Sequence, residues 1–351
     1  MNLRILVWLC ILSGVTIQGL AQGRFLKWLK TENDTNYIDE HTEDITARLY
    51  GSRKFTRYDI TDRKQNTHIL YRPNTPFNIG FGANYRFIGL NIGFNLPMIN
   101  QKNDKYGKTK YIDLQSHVYL RKIVVDFYGQ YYKGYYIANP AGVFGKEYAA
   151  QNPYPQRPDL RNIDFGLNVQ YIFNDKRFSY RAPNLQNEYQ KKSAGSLIVG
   201  GEMFLGRIKG DSSLIPYNMA DTLFLHDQHY YKTGISSLAA NIGYAYTFVL
   251  KQHFFLSLSL TGGLGGNVTS LFMENGDITR RVGLTFSSTI RASLGYNSSR
   301  YFAGVHYVGM NTRSGMSIPH TYQTFGTGNL RVSVVRRFAL KKPVWHSRHT
   351  I

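Results

Sequence analysis

The sequence predicts an all-β fold: a transmembrane antiparallel up-and-down β-barrel of about twelve strands, with long extracellular loops and short periplasmic turns. Three observations carry that expectation. Residues 77–96 alternate as a hairpin with one apolar face and one face of glycine and asparagine. The chain opens on an export signal and then contains no apolar run long enough for a membrane helix. Tight turns and long polar connections succeed one another along the remainder.

In the hairpin, Phe77, Ile79, Phe81 and Ala83 share one face, and Asn78, Gly80, Gly82 and Asn84 the other. The pattern resumes with Ile88, Leu90, Ile92, Phe94 and Leu96 against Phe87, Gly89, Asn91, Gly93 and Asn95. A tight turn at Tyr85-Arg86 sets Phe81 opposite Leu90, Ile79 opposite Ile92 and Phe77 opposite Phe94, so apolar meets apolar throughout. A soluble barrel would point that face into a core. A membrane barrel points it at lipid and leaves Asn78, Gly80, Gly82, Asn84, Gly89, Asn91, Gly93 and Asn95 facing a wet lumen.

The rest of the chain favours the membrane. Residues 1–21 read as a signal peptide, with Arg4 as the positive start, 5–17 as the apolar stretch, and Gly19-Leu20-Ala21 before a cut ahead of Gln22. Cys10, the sole cysteine, lies within it, so the mature chain is expected to hold neither disulfides nor thiolate metal sites. An exported chain without membrane helices reaches a bilayer only as a closed barrel, which satisfies every backbone group internally. Aromatic residues make up 15%, with 27 tyrosines against 3 tryptophans, and hydrophobic residues only 42%. Half of a barrel strand faces water and tyrosine suits the interfacial girdles, so this balance fits. The net charge of +20 reads as lysine and arginine spread over loops, turns and lumen, or as attraction for lipid phosphates or anions in a pore. No nucleic-acid motif accompanies it.

In order, residues 22–43 form a periplasmic lead-in and 44–338 the barrel. A first strand is expected over 45–58, then one from Thr67 that Pro73 and Pro76 interrupt before it joins the opening hairpin, implying an edge, bulge or break. After the hairpin come strands over 109–120, 123–134, 160–173, 193–208, 235–250, 253–264, 281–296, 300–310 and about 321–338. Tight turns at 85–86, 121–122, 251–252 and 297–298 alternate with long loops at 97–108, 135–158, 209–234 and 265–280. The even count puts both termini in the periplasm. The connector 174–192 breaks the rule: it lies on the periplasmic side yet is long. Its Arg177, Tyr180, Arg181, Tyr189, Lys191 and Lys192 suggest either a plug folded into the lumen, a periplasmic contact, or basic residues at the membrane border. Phe338 closes the last alternating strand as a terminal aromatic of the kind read by outer-membrane assembly machinery, although a basic tail, 339–351, follows it.

Taken together, 77–97, 111–136 (YIDLQSHVYLRKIVVDFYGQYYKGYY), 153–173 (PYPQRPDLRNIDFGLNVQYIF) and 178–201 (FSYRAPNLQNEYQKKSAGSLIVGG) resemble a Bacteroidetes family known only as domain of unknown function 4421. That resemblance spans nearly all of the mature chain. It implies an outer-membrane barrel, and no activity or catalytic residue.

Signals for chemistry are sparse. His226-Asp227-Gln228-His229 supplies metal-ligand types, but a solvated loop is the plainer reading, and no metal or cofactor is expected. Lys232-Thr233-Gly234 lacks the Ser-x-x-Lys element that would give it meaning. Ser116 and His117 are adjacent on a strand and point to opposite faces, so they form no dyad. Ser257, His253 and His306 add residue types only. The expected function is a passive pore, small-solute transporter or scaffold in contact with outer-membrane lipid and lipopolysaccharide. The alternatives are an outer-membrane enzyme acting on lipid or lipopolysaccharide, and a soluble periplasmic lipid-binding barrel.

Overall fold

The computed structural model describes residues 32–85, 88–95, 102–148 and 153–340, with backbone alone for 88–91 and 95. The signal peptide, most of the lead-in and the basic tail lie outside the described residues.

Alternation of apolar and polar residues makes each strand two-faced, and pairing such strands edge to edge buries the polar face only if the sheet curls shut. It does. The strands are β1 (Ile38–Glu40), β2 (Ile45–Asp62), β3 (Thr67–Arg72), β4 (Phe77–Tyr85), β5 (Ile88–Asn95), β6 (Lys110–Tyr119), β7 (Ile123–Ile137) and β8 (Gln156–Ile172). There follow β9 (Glu188–Gln190), β10 (Ala194–Lys209), β11 (Tyr230–Leu250), β12 (Phe254–Met273), β13 (Ile278–Asn297), β14 (Tyr301–Gly315) and β15 (Thr321–Phe338). All pairings are antiparallel, and β2 meets β15 from Ile45↔Phe338 to Asp62↔Thr321, which closes the ring; among the described residues β5 and β6 each pair on one side only.

The expectation of about twelve strands needs correction. The hydrogen-bonded ring closes through ten, with β4, β5 and β6 beside it. The cause is the break at Pro73 and Pro76. One edge of β2 is shared, pairing with β3 over residues 58–62 and with β4 over 46–53. Proline supplies no ladder N–H, so the strand is cut in two. At the rim away from the termini, β3 then reaches β7 directly through Tyr71↔Ile137 and Arg72↔Tyr136. Nearer the terminal rim, the β4–β5 hairpin borders β2 while β6 borders β7.

The hairpin register also differs. Tyr85 pairs with Ile88, so Arg86 and Phe87 separate the strands, and Phe81 meets Ile92 while Ile79 meets Phe94. The slip relative to expectation is an even step, so every residue keeps its face. Phe81, Ile92 and Phe94 are exposed on the outside. Strand ends shift as well. β2 runs on to Asp62, and 265–280 is no loop: β12 and β13 continue to Met273 and from Ile278, joined by a short turn at Asn275-Gly276. Gly265, Gly266 and Gly283 weaken the alternation in sequence, but Gly265 and Gly266 are held by ladders on both sides and Gly283 by its pairing with Asn267.

Outward apolar residues form a belt rather than covering the wall. On β11 they run from Leu238 (69% exposed) through Ile242, Tyr244 and Phe248 to Leu250, whereas Ser236 beyond them is polar. On β12, Phe254, Leu256, Leu258, Leu260 and Leu264 face out while Phe255, Ser257, Ser259 and Thr261 are buried inside. A spanning strand needs roughly 9–11 residues, so strands as long as Tyr230–Leu250 extend past the belt at the end away from the termini. That far end holds the larger interior apolar cluster, including Tyr58, Tyr71, Tyr230, Leu225 and Phe325. A smaller cluster near the terminal end includes Tyr119, Ile172, Phe178, Tyr180 and Ile198.

Candidate functional site: the barrel interior

The connector between β8 and β10 enters the barrel at the terminal end. It begins by forming a short helix, α1 (Arg181–Asn184), and then β9, which pairs with β1 of the lead-in through Ile38↔Gln190 and Glu40↔Glu188. Phe178, Tyr180, Ala182 and Pro183 are buried, as are Gln186 to Gln190. Inward side chains of the wall grip its backbone. Arg48 and Asn84 donate to the Leu185 carbonyl at 3.0 and 2.9 Å. Arg337 donates to the carbonyls of Gln186 (2.7 Å), Glu188 (3.2 Å) and Ser298, and Asn297 also reaches that of Glu188 (3.1 Å). The Tyr180 hydroxyl lies 2.6 Å from Ser259 Oγ, and the Tyr189 hydroxyl donates to the Gln252 carbonyl at 2.8 Å.

Glu188 ties the segment to the wall by charge. Its fully buried carboxylate pairs with Arg121 of the β6–β7 turn at 3.0 Å and with Arg181 at 3.4 Å, and accepts from Ser179 Oγ at 2.5 Å. Three of the basic and aromatic residues singled out in the connector, Tyr180, Arg181 and Tyr189, therefore take part inside the barrel. The other three gather around Tyr37 at the rim. Arg177 and Lys192 lie over its ring, and the Lys191 amide donates to its carbonyl. Glu188, Gln186 and Arg337 carried no signal in sequence, because their roles depend on strands far away in the chain.

Above the connector lies a charged cluster drawn from three strands. Asp126 on β7 is fully buried, with His117 Nδ1 at 2.7 Å across the β6–β7 ladder and Arg291 of β13 hydrogen-bonded to its other oxygen. Arg291 also reaches the Tyr119 hydroxyl at 3.4 Å and lies 5.9 Å from the centre of the Tyr180 ring. Next comes a row that crosses three strands, Asp113↔Gln130↔Asp164. Lys54 Nζ stands 3.3 Å from Asp113 Oδ1, while Tyr132 and Gln130 donate to Oδ2 at 2.5 and 2.9 Å.

The far end is closed by the segment between β10 and β11. Leu214, Ile215, Met219, Phe224 and Leu225 pack into the large apolar cluster. Tyr71 donates to the Leu214 carbonyl at 2.6 Å, and Asp62 accepts the Leu225 amide at 3.0 Å. Leu225, His226 and Asp227 all take positive φ (52°, 53° and 58°), a costly run for non-glycine residues that the buried Leu225 anchors. Beside this segment is a cleft of about 440 Å³ lined by Ile137, Phe144, Arg157, Ser213 and Tyr217 among others.

The sequence's chemical candidates are dispersed. His229 stacks on Tyr217 and lies 3.1 Å from Ser213 Oγ, and among the described residues no three His, Cys, Asp or Glu side chains are grouped to hold a metal ion. Lys232 lies over Phe272, and Thr233 donates to Gln323. His117 has a carboxylate partner in Asp126. His306 has Ser293 and Ser333 at 3.1 and 3.3 Å, and His253 has Tyr189 at 3.1 Å. Ser257 turns to Thr247 rather than to a histidine.

Of the proposed lumen face, Gly80 and Asn84 are buried and Asn78 and Gly82 half-buried. Gly80 and Gly93 are paired. The ring of Tyr50 occupies the space above them, and a Cβ on Gly80 would come within 2.5 Å of it. Glycine at that position is thus a steric requirement. The side chains of Gly89, Asn91 and Asn95 lie outside the described residues. Phe338 ends β15, paired with Ile45, its ring 4.9 Å from the Arg336 guanidinium.

No curated protein matches this chain in sequence. Among solved structures it is similar to the outer-membrane protease OmpT from Escherichia coli, at 10% identity and a TM-score of 0.37, over 87% of this chain and 100% of that one. The toluene transporter TodX of P. putida is similar at 7% identity and a TM-score of 0.24, covering 85% and 91% of the two chains. The translocator domain of the autotransporter NalP from Neisseria meningitidis gives 8% identity and a TM-score of 0.30, over 93% and 98%. Likenesses this distant say nothing of activity. A family model, by contrast, matches residues 32–338, the whole barrel together with its lead-in strand. The chain belongs to the family described as domain of unknown function DUF4421.

Proposed function

We propose that this protein is an outer-membrane barrel that serves as a gated conduit for a small solute, closed at rest by its own connector at the terminal end and by the segment between β10 and β11 at the far end. The observation that carries the reading is the connector's position across the terminal end of the lumen, held by Arg48, Asn84, Asn297 and Arg337 and by the Glu188 ion pairs. A permanently open pore would have no use for so many buried contacts to one inserted segment. The apolar belt supports contact with outer-membrane lipid, and the polar strand ends beyond it suit the lipopolysaccharide headgroup region. Phe338, at the end of the closing strand, suits recognition by the assembly machinery.

Conductance across a planar bilayer tests the reading. The intact refolded protein should be silent or open rarely, and deletion of residues 183–190 together with 214–225 should produce frequent discrete steps, whereas deletion of 214–225 alone should not. Steps from the 214–225 deletion alone, at the level of the double deletion, would show that the connector is not an obstruction.

A further inference from the structure

The interior carboxylates do not share one kind of partner. Asp126 has Arg291, Glu188 has Arg121 and Arg181, and Asp113 has Lys54. Asp164 has a hydrogen bond only: its Oδ2 accepts from Asn162 Nδ2 at 2.5 Å, and its Oδ1 has no partner at all. Two more side-chain oxygens around it are likewise orphaned, Gln130 Oε1 and Asn162 Oδ1. Gln130 stands directly across the ladder from Asp164, and Asn162 is two residues away on the same inward face. The three residues are 4%, 3% and 1% exposed. The hydroxyl of Tyr135, also buried, adjoins Asn162 and brings one donor to the group.

Neither amide can be turned to relieve this. Gln130 Nε2 is committed as the donor to Asp113 Oδ2 (2.9 Å) and Thr327 Oγ1 (2.8 Å), and reversing it would set an oxygen against a carboxylate. Asn162 Nδ2 is committed in the same way to Asp164. Three orphaned oxygens gathered in a buried place, one of them a carboxylate's, exceed what the single Tyr135 proton can satisfy, and they repel one another unless a positive centre sits between them. With both carboxylates ionised, Asp113 and Asp164 are two negatives against the single positive of Lys54, leaving one negative charge uncompensated.

We propose that Asp164, Gln130 and Asn162 form a binding site for a hard monovalent metal cation, sodium or potassium, inside the barrel. Oxygen-only ligands select hard cations, and a single residual charge suits a monovalent one. The site lies where the apolar belt ends on β8, between the charged cluster and the apolar seal of the far end. It ties β7 to β8 at the level where β6 brings in Asp113.

The test is unfolding, so its result stands whether or not the barrel conducts. The protein is refolded in sodium, potassium or N-methylglucamine chloride at equal ionic strength, which loads the site before it is enclosed and holds screening constant. The unfolding midpoint in urea should be higher in sodium or potassium and should saturate with concentration. Asp164→Asn should abolish that difference. Gln130→Met, which keeps the carboxylate and withdraws one oxygen, should raise the half-saturating concentration by about tenfold, and it carries the test if the first variant does not refold. Equal midpoints in all three salts, with the infrared carbonyl band of a protonated carboxylic acid that disappears in Asp164→Asn, would overturn the proposal in favour of a bound proton. Sodium sensitivity unchanged in both variants would overturn it too, by placing the cation elsewhere.

Discussion

Asp126 shows how the interior of this barrel is held. A carboxylate buried without compensation would be untenable, and here it is compensated from two sides, by His117 on the neighbouring strand and by Arg291 on a strand far away in sequence. Such a pair contributes less to net stability than its breaking would cost. Asp126→Leu leaves the Arg291 guanidinium buried with only the Tyr119 hydroxyl and the Tyr180 ring, and should cost about 3–5 kcal/mol in urea unfolding from lipid vesicles. The double variant Asp126→Leu with Arg291→Met should recover most of that loss. If the two single losses simply add in the double variant, the residues are not coupled and the cluster is misread. None of this was visible in the sequence, where Asp126 was one polar residue in an alternating strand and Arg291 another.

At the scale of elements, the opening hairpin was legible almost in full, because a period of two survives any even error in register. Its glycines were read as merely small. The structure gives Gly80 a sharper role, since Tyr50 from β2 lies where its side chain would be. Gly80→Val should cost about 1–3 kcal/mol through forced displacement of that ring. Gly266→Ala, on the open outer wall where nothing lies within 4 Å of a new Cβ, should change stability by less than about 0.5 kcal/mol. Equal losses at both positions, measured by urea unfolding, would refute the steric account. The connector was legible as an anomaly: a long polar stretch on the side of short turns. Its destination was not, because the side chains that receive it come from β2, β4, β13 and β15.

At the scale of the molecule, the outward belt covers only the part of the wall nearest the termini. The membrane reading therefore makes a depth-dependent prediction. Leu258→Arg, in the middle of the belt, should cost about 2–4 kcal/mol, and Ser236→Arg, beyond it on β11, no more than about 1 kcal/mol. Unfolding from vesicles measures both, and equal small costs would favour a soluble barrel instead. The loop expected at 265–280 is strand because β12 keeps both its ladders, to β11 and to β13, as far as Phe272.

The sequence by itself determined the class of fold, the face each strand shows to its surroundings, and the odd position of the connector. Each of these depends on local alternation or on the parity of turns, both of which can be read within a short window. Only the tertiary structure decided that the ring closes through ten strands, that the connector occupies the lumen, and which interior charges are paired. Closure depends on where β2 divides its edge between two partners, and the Asp126–Arg291 pair joins strands on opposite sides of the barrel. Distances across a lumen follow from the curvature of the whole sheet, and no stretch of sequence contains that curvature.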